Sequence, residues 1–167
     1  MKGVISDMFV PILDCQTTLN DDPELVGVGL TIFCAGCNHH CEGCHSMATW
    51  DKENGKLTDI NILKNKIDSA KSLISYVCFC GGDFMLYPEQ LEILAKHCKE
   101  KELRTILYTG FLFEDISENI RQNMDIIVDG KFELDAEQIS FPASKNQRVW
   151  IDGIVTDPDT LAINRRN

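Results

Sequence analysis

Hydrophobic positions along the chain fall into short blocks of two kinds. Leu25 to Phe33 is apolar and β-branched, with glycines at 27 and 29, and predicts a strand. Ile60, Leu63, Ile67, Ala70 and Ile74 recur at helical spacing, with Thr58 or Asp59 placed to cap the first turn. The apolar run Ser75 to Cys80 stops at Gly81-Gly82 and reads as a strand ending in a tight loop. Pro88 opens the next helix, in which Leu91, Leu94, Ala95 and Cys98 share a face. Arg104 to Tyr108 reads as a strand stopped by Thr109-Gly110, Glu114 to Gln122 as a helix, and Asp125 to Val128 as a strand stopped by Asp129-Gly130. Val149 to Ile151 is a final strand.

That alternation of strand and helix predicts an α/β fold with a mostly parallel sheet and right-handed crossovers. No repeat, low-complexity tract or linker interrupts it, so residues 1–167 read as a single domain. Between the first strand and the first helix, Cys34 to Trp50 holds no regular pattern, and a loop of that length in a compact domain is usually functional. The unusual motifs all fall just after strands: the cysteine loop, Gly81-Gly82-Asp83, Tyr108-Thr109-Gly110 and Asp129-Gly130. Parallel α/β folds bind ligands at the carboxyl ends of their strands, so four sequence-distant motifs are expected around one mouth.

Charge narrows the partners. Sixteen Lys and Arg against 26 Asp and Glu leave a net charge of −10, which opposes binding a polyanion. The Arg165-Arg166 tail is too short to reverse this, so nucleic acid is not expected as a partner. No apolar run approaches the roughly 18 residues of a membrane span, and Met1 to Asp7 does not read as a secretory signal, which points to a cytoplasmic protein.

Eight cysteines are many for this length, and Cys34, Cys37, Cys41 and Cys44 fall within eleven residues. In an intracellular chain such neighbours are more often metal ligands than disulfide partners. Three readings compete. Four thiolates can close a tetrahedral zinc site, as in a non-enzymatic adaptor, but zinc spacings separate the two Cys pairs by about 12 or more residues, and here only Asn38-His39-His40 intervenes. Incidental buried thiols are a second reading, against which stands the polarity of Asn38, His39, His40, Glu42 and His45. The third is a cubane iron–sulfur cluster on Cys37, Cys41 and Cys44, whose three thiolates leave one iron open to a small molecule.

The Cys-x3-Cys-x2-Cys spacing resembles the radical S-adenosylmethionine superfamily. Phe33, Gly36-Cys37, His39 or His40, Cys41-Glu42-Gly43-Cys44, Thr49-Trp50 and Gly55 look like the cluster loop of anaerobic ribonucleotide reductase activating proteins. The likeness continues through Gly81-Gly82-Asp83, Tyr108-Thr109-Gly110, Val128-Asp129-Gly130-Lys131-Phe132 and Ser144-x-Asn146-Gln147-Arg148, covering roughly residues 25 to 152. It implies a small incomplete (β/α) barrel and a [4Fe-4S] cluster whose open iron chelates the amino and carboxylate groups of S-adenosylmethionine. Reductive cleavage would give methionine and a 5′-deoxyadenosyl radical. That radical would take a hydrogen atom from a glycine of the large reductase subunit, with flavodoxin or ferredoxin as electron donor. A small radical enzyme of the deazapurine synthase kind is the rival within the same superfamily.

The resemblance also implies residue roles. Cys37, Cys41 and Cys44 would be ligands, with Cys34 outside the triad. Gly81, Gly82 and Asp83 would receive the methionine amino end, where an acid suits an ammonium, and Gly43 and His45 would lie where adenine binds. His39 and His40 stand between tuning the cluster sulfurs and being solvated loop residues. Tyr108, Asp129, Asn146, Gln147 and Arg148 are second-shell or partner-surface positions, an exposed polar turn being the alternative for the last three. Cys15, Cys78, Cys80 and Cys98 read as packing. The chain departs from the family's usual pattern in lacking an Arg at Gly29-Leu30-Thr31, in placing Phe84-Met85-Leu86 where Pro commonly follows, and in carrying a thiol at Cys80.

Overall fold

Four apolar runs become the centre of one sheet, and the rest of the chain is arranged around them. The computed structural model describes residues 8–24 and 27–164. Met1 to Asp7, Leu25-Val26 and the Arg165-Arg166 tail lie outside the described residues. Strands β1 (Phe9–Thr18), β2 (Gly29–Cys34), β3 (Lys56–Asp59), β4 (Tyr76–Gly81), β5 (Arg104–Tyr108), β6 (Ile126–Asp129), β7 (Arg148–Ile151) and β8 (Ile154–Thr156) form one sheet in the order β3-β1-β2-β4-β5-β6-β7-β8. Helices α1 (Ile60–Ala70), α2 (Pro88–Glu100), α3 (Glu118–Arg121) and α4 (Pro158–Asn164) complete it.

The expectation of a mostly parallel sheet needs correction. Pairing is parallel across β2-β4-β5-β6 and antiparallel for β1-β2, β1-β3, β6-β7 and β7-β8. Parallel neighbours need a long crossover, and only the central connections carry helices. β7 and β8 are joined by the two residues Asp152-Gly153, both at positive φ (49° and 76°), the tight-hairpin geometry that Asp-Gly favours.

α1 and α2 bury the predicted faces. Asp59 caps α1, accepting from Asn61 N at 2.8 Å, and Pro88 opens α2. The helix expected over 114–122 is shorter: Ile116 is extended (φ −83°, ψ 132°) and buried, so a 3-10 turn at Phe113–Asp115 precedes a four-residue α3. β1, β3 and β8 lack clean periodicity, and the hydrophobic pattern does not predict them.

Alternation divides the core. Leu30, Ile32, Cys34, Val77 and Phe79 face the helices. Tyr76, Cys78, Ile106, Ile126, Val128 and Val149 face the other side, where Leu161 covers them. That second face leads to the ends of β2, β4, β5 and β6.

Candidate active site at the carboxyl ends of the central strands

The loop leaving β2 is fixed first by main chain. Ala35 N donates to Pro11 O (2.8 Å), Gly36 N to Thr49 O (2.7 Å) and Cys37 N to Trp50 O (3.0 Å). It is also laced to the loop after β4, where Gly82 N donates to Cys34 O and Asp83 N to Gly36 O, both at 2.8 Å. The two backbones touch so closely that a Cβ on Gly82 would lie 2.2 Å from Gly36 O, so residue 82 must be glycine.

These loops enclose a cavity of about 250 Å³. Cys37, Cys41 and Cys44 line one side, Gly81-Gly82-Asp83 and Thr109-Gly110 another, and Gly130-Lys131-Phe132 with Gln147 a third. Phe33, Cys80 and Tyr108 form its sheet wall. All four motifs therefore meet at one mouth. The three thiols are partly buried, whereas Cys34 has no exposed surface and points into the helix-side core. Burial pushes the Cys34 thiol well above its ordinary value.

Among the described residues no three His, Cys, Asp or Glu side chains close around a single ion. Three thiols lining one side of an open cavity suit a polynuclear cluster better than one zinc, whose ligands all lie about 2.3 Å from one point. Burial raises the Cys37 thiol, while the backbone N–H groups of His39 and His40 donate to it and act the other way. Ser46 N donates to Cys44 Sγ at 3.4 Å. N–H groups aimed at sulfur are what a cluster-bound thiolate needs.

Asp83 lines the cavity, but its carboxylate, 1% exposed, is already engaged. It accepts from Thr109 Oγ1 (2.9 Å to each oxygen), Gly110 N (2.9 Å), Met85 N (3.0 Å) and His39 Nε2 (2.8 Å). His40, at φ 48°, turns away and stacks on Trp50 with centroids 4.7 Å apart. Gly43 and His45 sit outside the cavity lining on the rim, where His45 pairs with Glu137 at 3.4 Å.

Of the later positions, Tyr108 and Gln147 line the cavity and the others do not. Tyr108 donates to Asp21 O at 2.8 Å, and Gln147 to Gly130 O at 3.0 Å. Asn146 donates to Lys131 O at 2.8 Å, strapping the loop after β6. Asp129 is buried and held by Arg148. Cys80, read from sequence as packing, is in the wall. Its place as the last side chain before Gly81-Gly82 was the available signal, because strand ends in parallel sheets face the ligand. Thr109, marked in the sequence as part of Tyr108-Thr109-Gly110 but given no role there, is the hydroxyl partner of Asp83.

Comparison with known proteins bears on this arrangement. Residues 26–150 match the family model described as a 4Fe-4S single cluster domain. The anaerobic ribonucleoside-triphosphate reductase-activating protein of Enterobacteria phage T4 is 36% identical over 139 residues, 77% of this chain and 88% of that protein. The protein of the same name from Escherichia coli K12 is 28% identical over 74% of this chain and 88% of its own length. The pyruvate formate-lyase-activating enzyme of Clostridium pasteurianum is 29% identical, but this chain spans only 44% of it. In fold, the crystal structure of QueE from Escherichia coli aligns with a TM-score of 0.53 at 12% identity, over 72% of this chain and 70% of that one.

Proposed function

We propose, from the premise that this chain belongs to the anaerobic ribonucleoside-triphosphate reductase-activating proteins and carries a 4Fe-4S single cluster domain, that it generates the glycyl radical of an anaerobic ribonucleotide reductase. The observation that carries the reading is the meeting of Cys37, Cys41 and Cys44 with Gly81-Gly82-Asp83 around one cavity while Cys34 is shut in the core.

The three thiols fit a [4Fe-4S] cluster with one iron left open. When bound, that cluster supplies the electron that splits S-adenosylmethionine into methionine and a 5′-deoxyadenosyl radical, which takes a hydrogen atom from the partner's glycine. The chain's residues position these groups. Because the Asp83 carboxylate is spent inside the protein, the main chain of Gly81 and Gly82 is left to receive the methionine ammonium. Among the described residues Lys131 is the one Lys or Arg in the lining, and its ammonium suits a carboxylate. Gly43 and His45 border the rim where adenine would extend. Phe33, Trp50 and Phe132 line the cavity with apolar surface and exclude water from the radical.

The sheet stands as part of a barrel wall, open between the edge strands β3 and β8. Exposed apolar side chains stand on three of the loops that leave the carboxyl ends of the central strands: Met47 after β2, Leu112 after β5, and Leu134 and Ile139 after β6. A rim of this kind suits a protein substrate, the large reductase subunit, better than a small molecule. The setting is cytoplasmic, where eight free thiols persist, and flavodoxin or ferredoxin donates the electron. Among the described residues no helix is long and apolar enough to cross a membrane.

Anaerobic reconstitution with iron and sulfide counting, followed by EPR with S-adenosylmethionine and a purified anaerobic reductase, tests the reading. About four irons per chain and a glycyl signal on the reductase are expected. One zinc without a brown chromophore overturns the cluster, and cosubstrate cleavage with no radical on the reductase overturns the partner.

A further inference from the structure

His39 has an unusual double placement. Its backbone N–H is aimed at the Cys37 sulfur, and its ring reaches the loop after β4, where Nε2–H donates to Asp83 Oδ2 at 2.8 Å. The side chain is 9% exposed and the carboxylate 1%. The ring lies so close to Gly110 that a Cβ there would be 2.5 Å from its Cδ2, and it meets Phe111 edge-on with centroids 4.7 Å apart. Three surfaces, one each from Asp83, Gly110 and Phe111, therefore form a socket for one imidazole.

The socket joins three loops. Asp83 follows β4, Gly110 and Thr109 follow β5, and His39 sits between Cys37 and Cys41. Thr109 Oγ1 and Gly110 N hold the carboxylate from the β5 side, and His39 holds it from the cysteine loop. A buried carboxylate with several donors is stiff, because moving it strands charge away from water. His40, the next residue, shows the contrast: its exposed ring stacks on Trp50 within its own loop and ties it to no other.

We propose that His39 is a positioning residue which latches the cysteine loop to the Gly81-Gly82-Asp83 turn, fixing the distance between the thiol set and the cradle for the methionine end of S-adenosylmethionine. This rests on the function proposed above. Without the latch the three thiols keep their main-chain anchors at Gly36 and Cys37, so the cluster still loads. What is lost is the alignment of the turn against it, and with it cosubstrate affinity.

The test uses reconstituted holoenzyme and measures iron per chain alongside S-adenosylmethionine affinity by equilibrium dialysis. His39→Ala is expected to keep wild-type iron and to weaken affinity at least about tenfold, the scale of one charge-assisted hydrogen bond. His39→Gln, whose amide nitrogen stands at the same bond count from Cβ as Nε2, should recover most of it. Thr109→Val, acting on the same carboxylate from β5, should weaken affinity in the same direction, and the double variant should fall short of the product of the two effects. Wild-type affinity in His39→Ala, iron loss confined to that variant, or a Gln variant no better than Ala overturns the latch. Should His39→Ala fail to fold, His39→Leu, which fills the socket with no donor, takes its place: affinity at the wild-type level in it, or full additivity with Thr109→Val, overturns the latch as well. Failure of the wild-type chain to take up iron is a different result, which overturns the cluster reading beneath.

Discussion

Asp129, with no exposed surface, lies opposite Arg148 in the β6–β7 register, and Arg148 Nε donates to its Oδ1 at 3.1 Å. Arg148 Nη2 also reaches Oδ2, and Phe113 N donates to that oxygen at 2.6 Å. Removing the guanidinium strands a buried charge. Arg148→Ala should lower unfolding free energy by about 2–3 kcal/mol, less than a fully buried pair would cost because Arg148 is 34% exposed. Urea denaturation of the variant checks this, and a loss within experimental scatter would contradict it.

The same arginine sets an acid limb. Its bidentate pair with Glu114 (2.9 and 2.7 Å) holds that carboxyl down from 4.5 to about 2. A depressed folded-state value means the contribution is present above pH 4.5 and lost as pH falls through about 2. Glu114 is exposed on the surface, so salt screens the effect. Between those pH values Glu114→Gln should flatten the fall in thermal midpoint at low salt and change little in high salt. An unchanged slope at low salt would remove Glu114 from the account.

Sequence carried the centre of the molecule and lost its edges. The runs at β2, β4, β5 and β6 are apolar on both faces because they are parallel and covered, so they stand out. β1 and β3 carry Pro11, Lys56 and exposed positions, and their pairing is a long-range fact that no local window contains. The Asp152-Gly153 hairpin was legible in principle, since Asp-Gly between apolar pairs is a strong turn signal. At the site, cysteine spacing and the placing of glycines after strands were enough to find the mouth. The direction of Asp83 was not, because a carboxylate suited to an ammonium is equally suited to a buried network, and only Thr109, Gly110 and His39 coming together decides between them.

Cys34 and Cys41 should separate cleanly. Cys41 lines the cavity, and Cys41→Ala is expected to abolish cluster loading. Cys34 faces the core with no exposed surface, so Cys34→Ala should keep its iron and lose roughly 1 kcal/mol from the small cavity created. Iron counting with a urea midpoint on each variant reads both effects. Iron lost with Cys34→Ala would reinstate a four-thiolate site.

Gly82→Ala drives a methyl group into the main chain of Gly36, 2.2 Å from its oxygen and 2.8 Å from its carbon. Neither atom can rotate away, so the cysteine loop must shift, at a cost of about 1–3 kcal/mol. Affinity for S-adenosylmethionine should fall with it. Gly153→Asn is the matched control: no atom lies within 4 Å of its Cβ position, and Asn tolerates the positive φ of 76°. Differential scanning calorimetry should show a lower midpoint for the first variant and little change for the second. Equal midpoints would mean the two loops are not packed as described.

The apolar rim makes a prediction that separates docking from radical chemistry. Leu112 follows β5 and Ile139 lies in the loop after β6, so both are exposed in loops that leave the carboxyl ends of the central strands, and neither lines the cavity. Such side chains gain by being covered, and a charge in the covered surface is costly. Leu112→Asp and Ile139→Asp should therefore leave iron content and reductase-free cleavage of S-adenosylmethionine at wild-type levels, while the glycyl signal formed on the reductase falls about tenfold, the scale of one interface anchor. Raising the reductase concentration should restore part of the signal, because the defect is in association. If both variants activate the reductase normally, the partner docks elsewhere. If cleavage alone collapses, these residues belong to the cavity and not to its rim.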